Sequence, residues 1–224
     1  FDFDAEATDL HAARVRDTLP ETLAMPARGA KMSGRFDVAL RTAGHTAYPE
    51  SLTLEVDIGG DVDVPRESPR ADVPSLAVNG PPAPYLPMLE GATIPLSKWV
   101  DLQSLDDAIP RILIAAEDAR FYRHDGFAWR GIRNAMVHNL KKGRLERGGS
   151  TITQQVAKNL FLTHDRTLGR KFKELWIAWR LESTLHKDRI LELYLNLVEW
   201  GPGVKGLHEA ADYYFDTPPE QLTI

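Results

Sequence analysis

The chain contains no cysteine, which removes disulfides, thiolate metal sites and cysteine nucleophiles together. It also lacks any apolar run of about 18 residues or more, so no segment has the length of a bilayer-spanning helix. The opening residues, FDFDAEATDL, are acidic and hold neither a basic start nor an apolar stretch. They do not read as a signal peptide. No internal repeat is visible. What remains is ordinary for a globular protein: 43% hydrophobic and 26% charged residues in 224. That length suits one domain of usual size with a smaller companion.

The net charge of -5 hides an asymmetry. Residues 1–116 carry 10 Lys and Arg against 18 Asp and Glu, whereas residues 117–224 carry 17 against 14. The basic half includes a dense run, Arg130, Arg133, Lys141, Lys142, Arg144 and Arg147. Such a run is either a solvated face or a surface for an anionic partner, and charge does not choose between them.

Along the chain, Ala12, Val15 and Leu19 fall at helical spacing and predict a helix over 5–23. Residues 35–41 (RFDVALR) and 51–58 (SLTLEVDI) alternate with period two, which predicts half-buried antiparallel strands. Residues 59–97 are too rich in Pro and Gly for regular helix or central strand and read as linker or extended loops. From residue 104 the texture becomes helical, with segments predicted at 104–123, 128–141, 151–162, 170–186, 188–198 and 205–215. Pro110 fits only the first turn of its helix. The 170–186 segment is apolar almost all round, which places it in the middle of a bundle. Thr217-Pro218-Pro219-Glu220 has the form of a helix start with a capping box. So little chain follows it that the domain is expected to be incomplete at its C-terminal end.

Four segments hold the candidate chemistry. In Glu117-Asp118-Ala-Arg-Phe121-Tyr-Arg-His124-Asp-Gly126, Glu117 adjoins the apolar stripe of Ile109, Leu113 and Ala116. A carboxylate there is expected to be partly desolvated, which suits general acid or base work; the plain alternative is a surface ion pair with Arg120 or Arg123. In Gly148-Gly149-Ser150-Thr151-Ile152-Thr153-Gln154-Gln155-Val156-Ala157-Lys158, Thr151 and Gln154 are set for a capping box. Ser150, Gln154 and Lys158 are expected to form a polar stripe opposite Ile152, Val156 and Leu160. A helix N-terminus with free N–H groups there would attract an anion. In Arg170-Lys171-Phe172-Lys173-Glu174, two cations lie within one turn of a second carboxylate. In Lys187-Asp-Arg-Ile190-Leu191-Glu-Leu-Tyr194-Leu195-Asn196, the apolar residues and Tyr194 read as core. Asn196 is expected to secure the following turn, Trp200-Gly201-Pro202-Gly203.

Taken in this order and at these spacings, E-D-x-x-F-x-x-H-x-G, G-x-S-T-I-T-Q-Q-x-x-K-N, R-K-x-x-E and K-x-x-I-L-x-x-Y-L-N resemble the first four motifs of the peptidoglycan glycosyltransferases of glycosyltransferase family 51. Residues 201–215, with Gly206, Ala210, Ala211, Tyr214 and Phe215, look like the fifth. The resemblance implies a mainly α, lysozyme-like domain over 101–224, incomplete at its C-terminal end. It would follow a small α+β segment with antiparallel strands (1–58) and a linker (59–100). The implied reaction is polymerisation of lipid II into β-1,4-linked glycan strands with release of undecaprenyl pyrophosphate.

By the same resemblance, Glu117 would be the general base and Glu174 the second catalytic carboxylate, positioning the cations or a divalent ion (Mg or Mn). Asp118 and His124 would support the base. Ser150, Thr151, Gln154, Gln155, Lys158, Arg166, Arg170 and Lys171 would hold the substrate and its pyrophosphates. No organic cofactor and no nucleic acid is implied. The implied partners are lipid II, the growing strand and the membrane surface, and residues 1–100 are a candidate surface for other cell-wall synthesis proteins. The implied location is the outer face of the bacterial cytoplasmic membrane, with an anchor outside this chain. One departure concerns Asn134, which stands before Ala135 where the family usually has a basic residue, with Arg133 shifted by one. Two other readings are a catalytically silent lipid II- or glycan-binding module of the same fold and a lysozyme-like hydrolase.

Overall fold

A computed structural model of the chain describes residues 1–20, 27, 29–45, 47–66, 72–82, 94–144, 146–162 and 168–223; of Arg66, Leu168 and Gly169 only the backbone is described. Among these residues there are seven α-helices and two small antiparallel sheets. The chain forms two compact units, one of residues 1–68 with 128–150, the other of residues 69–127 with 151–224.

The first unit is built on three strands, β1 (Asp2–His11), β2 (Lys31–His45) and β3 (Tyr48–Arg66), in the order β1-β2-β3. The two predicted strands are present and much longer than predicted. The predicted helix over 5–23 is not there: β1 occupies its first half, and only α1 (Ala12–Thr18) is helical. Phe3, Ala5 and Ala7 alternate with Asp2, Asp4 and Glu6, a period of two that long-range pairing with Thr42, Leu40 and Val38 rewards. β3 runs through Gly59-Gly60 instead of stopping. Gly60 has φ +106, and a Cβ there would lie 2.4 Å from the Arg35 carbonyl, so glycine is what lets the strand continue. Pro65 is tolerated because β3 is an edge strand.

α3 (Trp129–Lys142) belongs to this unit and packs on β3. Arg133 donates from Nη2 to the Glu50 carbonyl (2.8 Å) and from Nε to the Leu52 carbonyl (2.5 Å). Lys141 pairs with the Glu50 carboxylate (3.0 Å). Two cations of the basic run therefore fasten α3 to an edge strand. The chain after α3 folds back onto it, because Asn139 accepts from the N–H groups of Glu146 and Arg147 and donates to the Arg147 carbonyl.

The second unit holds α2 (Ala108–Glu117), α4 (Ile152–Phe161), α5 (Leu168–Thr184), α6 (Lys187–Leu197), the β4–β5 ribbon (Glu199–Gly201 with Val204–Lys205) and α7 (Gly206–Phe215). The helix in the middle is α6, with Ile190, Leu191, Leu193, Tyr194, Leu195 and Asn196 all buried. This differs from the sequence expectation for 170–186. α5 is buried along Glu174, Ile177, Ala178 and Leu181, while Phe172 on its other side is 58% exposed. Ile152, Val156, Ala157 and Leu160 of α4 complete the core, with Ile152, Val156 and Leu160 each contributing roughly 1.5–3 kcal/mol. Residues 219–221 form a single 3-10 turn after Pro218, and no side-chain cap is made there, so the expected Thr217 capping box is absent. No helix among the described residues is long and apolar enough to cross a membrane.

The segment preceding α2 is held by polar groups of α6. Asn196 does not secure the Trp200–Gly203 turn. It accepts from the Val100 N–H (2.8 Å) and donates to the Val100 carbonyl (2.8 Å) and its own helix's Glu192 carbonyl. Glu192 accepts from Trp99 Nε1 and from the Leu102 N–H. Replacing Asn196 by Leu would strand a buried N–H and a buried carbonyl at Val100. The expected loss is about 2–4 kcal/mol of unfolding free energy, read as a lower urea midpoint; an unchanged midpoint would refute this role.

Candidate functional site

The candidate site grows from the end of α2. Pro110 lies in its first turn, as the sequence requires, and Leu113 is buried. Glu117 is the last helical residue, and Asp118 is the C-cap, its N–H donating to the Ile114 carbonyl (2.9 Å). The expectation of a partly desolvated Glu117 is corrected. Being terminal, it leaves the apolar stripe, and its side chain is exposed. Its Oε2 accepts from Gln155 Nε2 at 3.1 Å. A carboxylate at the C-terminal end of a helix also stands against the macrodipole, a cost of roughly 0.3–1 kcal/mol.

The turn from Asp118 to Gly126 is fixed from within. Phe121 is fully buried and anchors it, and its N–H donates to the Asp118 carbonyl (2.8 Å). The Gly126 N–H donates to His124 Nδ1 (3.1 Å), so the proton of the neutral ring is on Nε2, which donates to Asp118 Oδ2 (2.9 Å). Gly126 has φ +87, and a Cβ would meet Glu182 Cγ at 3.0 Å, so only glycine fits both the turn and the neighbour.

The N-terminus of α4 closes on this turn. The Ile152 N–H donates to Asp118 Oδ2 (3.2 Å), and Thr151 Oγ1 donates to the Gly126 carbonyl (2.7 Å). The capping box is formed as its spacing predicts: Gln154 N–H to Thr151 Oγ1 (3.1 Å) and Thr151 N–H to Gln154 Oε1 (2.9 Å). Two expectations change as a result. The anion at this helix terminus is the protein's own Asp118. In the expected polar stripe only Gln154 differs, being fully buried, so that Gln155 and the exposed Lys158, three apart, carry the accessible face of α4. Ser150 is exposed and ends the other compact unit.

On α5, Glu174 is 3% exposed and takes one cation on each oxygen: Arg170 Nη1 on Oε2 (3.2 Å) and Lys171 Nζ on Oε1. A buried carboxylate is tolerable only when so neutralised. Lys171 is the more exposed of the two cations at 39%. Arg166 lies outside the described residues. Tyr194 was read from sequence only as core. It is 4% exposed, and burial, with the negative charge of Glu117 second, pushes its phenol up. A core-facing tyrosine, whose hydroxyl must find a polar neighbour, was the available signal.

The sequence profile of the family described as Transglycosylase matches residues 91–224. Among the relatives, the chain is 48% identical over 126 residues to the "Biosynthetic peptidoglycan transglycosylase" of Laribacter hongkongensis, covering 56% of this chain and 55% of that one. It is 51% identical over 126 residues to the protein of the same description from Chromobacterium violaceum, with the same coverage. Against that of Methylobacillus flagellatus it is 48% identical over 127 residues, 57% and 56% of the two chains. The chain spans about half the length of the curated relatives it matches.

Asp118 holds one buried backbone N–H and one imidazole N–H. Asp118→Ala is expected to lower unfolding stability by about 2–4 kcal/mol, with faster amide exchange in the first turn of α4. Unchanged exchange at Ile152 would contradict the assignment.

Proposed function

The chain belongs to the transglycosylase family, and we propose from that premise that it contributes the catalytic groups of a peptidoglycan glycosyltransferase that polymerises lipid II. In this reading residues 101–224 form a lysozyme-like domain working at the outer face of the bacterial cytoplasmic membrane. Glu117 accepts the proton of the acceptor sugar's 4-hydroxyl as that oxygen attacks the donor's anomeric carbon. The bond to the polyprenyl pyrophosphate breaks with inversion, giving a β-1,4 link. The observation that carries the assignment is Glu117 itself: a solvent-reachable carboxylate, oriented by Gln155 and preceding a locked turn. A general base needs reach first, and burial is not required for that.

The other candidates take different tasks. Asp118 and His124 position the base and do not meet substrate, since both side chains are at most 10% exposed. Thr151 and Gln154 shape the α4 terminus. Gln155, Lys158, Arg170 and Lys171 are the groups offered to substrate, the last three to the pyrophosphates, with Ser150 and Arg166 proposed beside them from the motif alone. Glu174 fixes Arg170 and Lys171 in place. It does not fit a divalent cation, because both oxygens already accept from cations, and among the described residues no group of three acidic, His or Cys side chains could hold one. No step is routed through a metal.

The test uses the full-length protein with labelled lipid II in detergent. Glu117→Gln should bind lipid II and lower the polymerisation rate by about a hundredfold or more, and Gln155→Ala should lower it less, the range expected of a lost base and a lost orienting group. Polymer formed by Glu117→Gln at the unaltered rate would remove Glu117 from the mechanism.

A further inference from the structure

Lys187 received only a structural role from its motif, yet its surroundings are unusual. It is the first residue of α6, where a cation opposes the helix dipole. Its partner Glu182 lies in the last turn of α5, where an anion opposes that dipole as well. Both are largely out of water, at 20% and 7% exposure. Lys187 Nζ donates to Glu182 Oε1 (2.8 Å) and to the His124 carbonyl (2.6 Å), and lies 4.5 Å from the centre of the Phe121 ring. Glu182 Oε1 also accepts from Thr153 Oγ1 (2.5 Å) on α4, and its Cγ is the atom that bars any side chain at Gly126.

If covering Phe121 were the only requirement, an apolar side chain of the same length would serve without desolvating two charges. What an apolar residue cannot supply is a donor for the His124 carbonyl. We infer that Lys187, oriented by Glu182, is a positioning residue that fixes the Asp118–Gly126 turn and through it the Glu117 carboxylate. The ammonium holds the backbone of His124 where the ring can accept from Gly126 and donate to Asp118. Glu182 couples that hold to α4 through Thr153. A second tie from the same turn of α6, Tyr122 Oη to Asp188 Oδ1 (2.8 Å), steadies the turn's outer side and does not reach His124. This inference rests on the glycosyltransferase reading for its consequence, while its structural half can be tested alone.

The experiment compares full-length wild type with Lys187→Met, Glu182→Gln and the double variant. Each single change leaves or weakens a buried charge, and Lys187→Met is expected to lose stability. The double variant removes both charges and should recover much of that loss. Its kcat for lipid II polymerisation should nevertheless stay about tenfold or more below wild type with KM within about twofold, the pattern of a misplaced catalytic group. In parallel, the imidazole nitrogen shifts of His124 should report the pure Nε2–H tautomer in wild type and a mixture in the double variant. A double variant that regains wild-type kcat along with its stability, or that keeps the wild-type His124 shifts, overturns the inference. If wild type makes no polymer, the glycosyltransferase reading fails, and the His124 shifts still decide whether Lys187 positions the turn.

Discussion

The second unit is organised around one carboxylate oxygen. Asp118 Oδ2 accepts from the imidazole of His124 and from the first N–H of α4, so one atom joins the end of α2, the turn after it and the start of the next core helix. Without it, a buried N–H and a buried imidazole proton would both lack a partner, and the helix carrying Gln155 would lose its purchase on the helix carrying Glu117. The acidic group in the hub is therefore distinct from the one proposed as the base, although the two are adjacent in sequence. Asp118 is buried and bound on the inside; Glu117 is exposed and bound by one amide.

Charges set against helix dipoles mark the same neighbourhood. Glu117 closes α2, Glu182 lies in the last turn of α5 and Lys187 opens α6. Each placement is unfavourable for its own helix by a fraction of a kcal/mol to about 1 kcal/mol, and each is offset by a specific partner. Stability alone does not produce three such placements around one nine-residue turn. The proposed role of Glu117 accounts for them, because a turn that presents a carboxylate at a fixed point needs donors on carbonyls and acceptors on N–H groups wherever they happen to lie. Glu174, by contrast, is neutralised inside its own helix by Arg170 and Lys171.

Much of this was legible in the sequence, for physical reasons that differ by residue. The capping box of Thr151 and Gln154 and the first-turn Pro110 depend on local geometry alone, and both are present. Five helices of the second half were placed to within two residues because their apolar periodicity is long, whereas the one predicted over 104–123 is shorter, Ala108–Glu117. β1 was missed because helical spacing at Ala12, Val15 and Leu19 outweighed the alternation of residues 2–7, and only pairing with β2 decides between them. One member of the polar stripe of α4 was misplaced, since nothing local tells that Gln154 turns inward to its own N-cap and leaves Gln155 outside. The exposure of Glu117 depends on where α2 ends, and helix ends are the least certain feature of any periodic pattern. Charge alone left Arg133 and Lys141 open between a solvated face and an anion surface, and their partners, carried by residues 50 and 52, lie some eighty to ninety residues away in the chain.

In the proposed mechanism α4 works at its side and not at its tip: Asp118 occupies the N-terminus, leaving Gln155 and Lys158 to face substrate. A crystal structure of the full-length protein with a pyrophosphate-bearing lipid bound tests this directly. The account predicts phosphate oxygens at Lys158, Arg170 and Lys171, with Asp118 Oδ2 still on the Ile152 N–H. A phosphate found on that N–H, with Asp118 displaced, would contradict it.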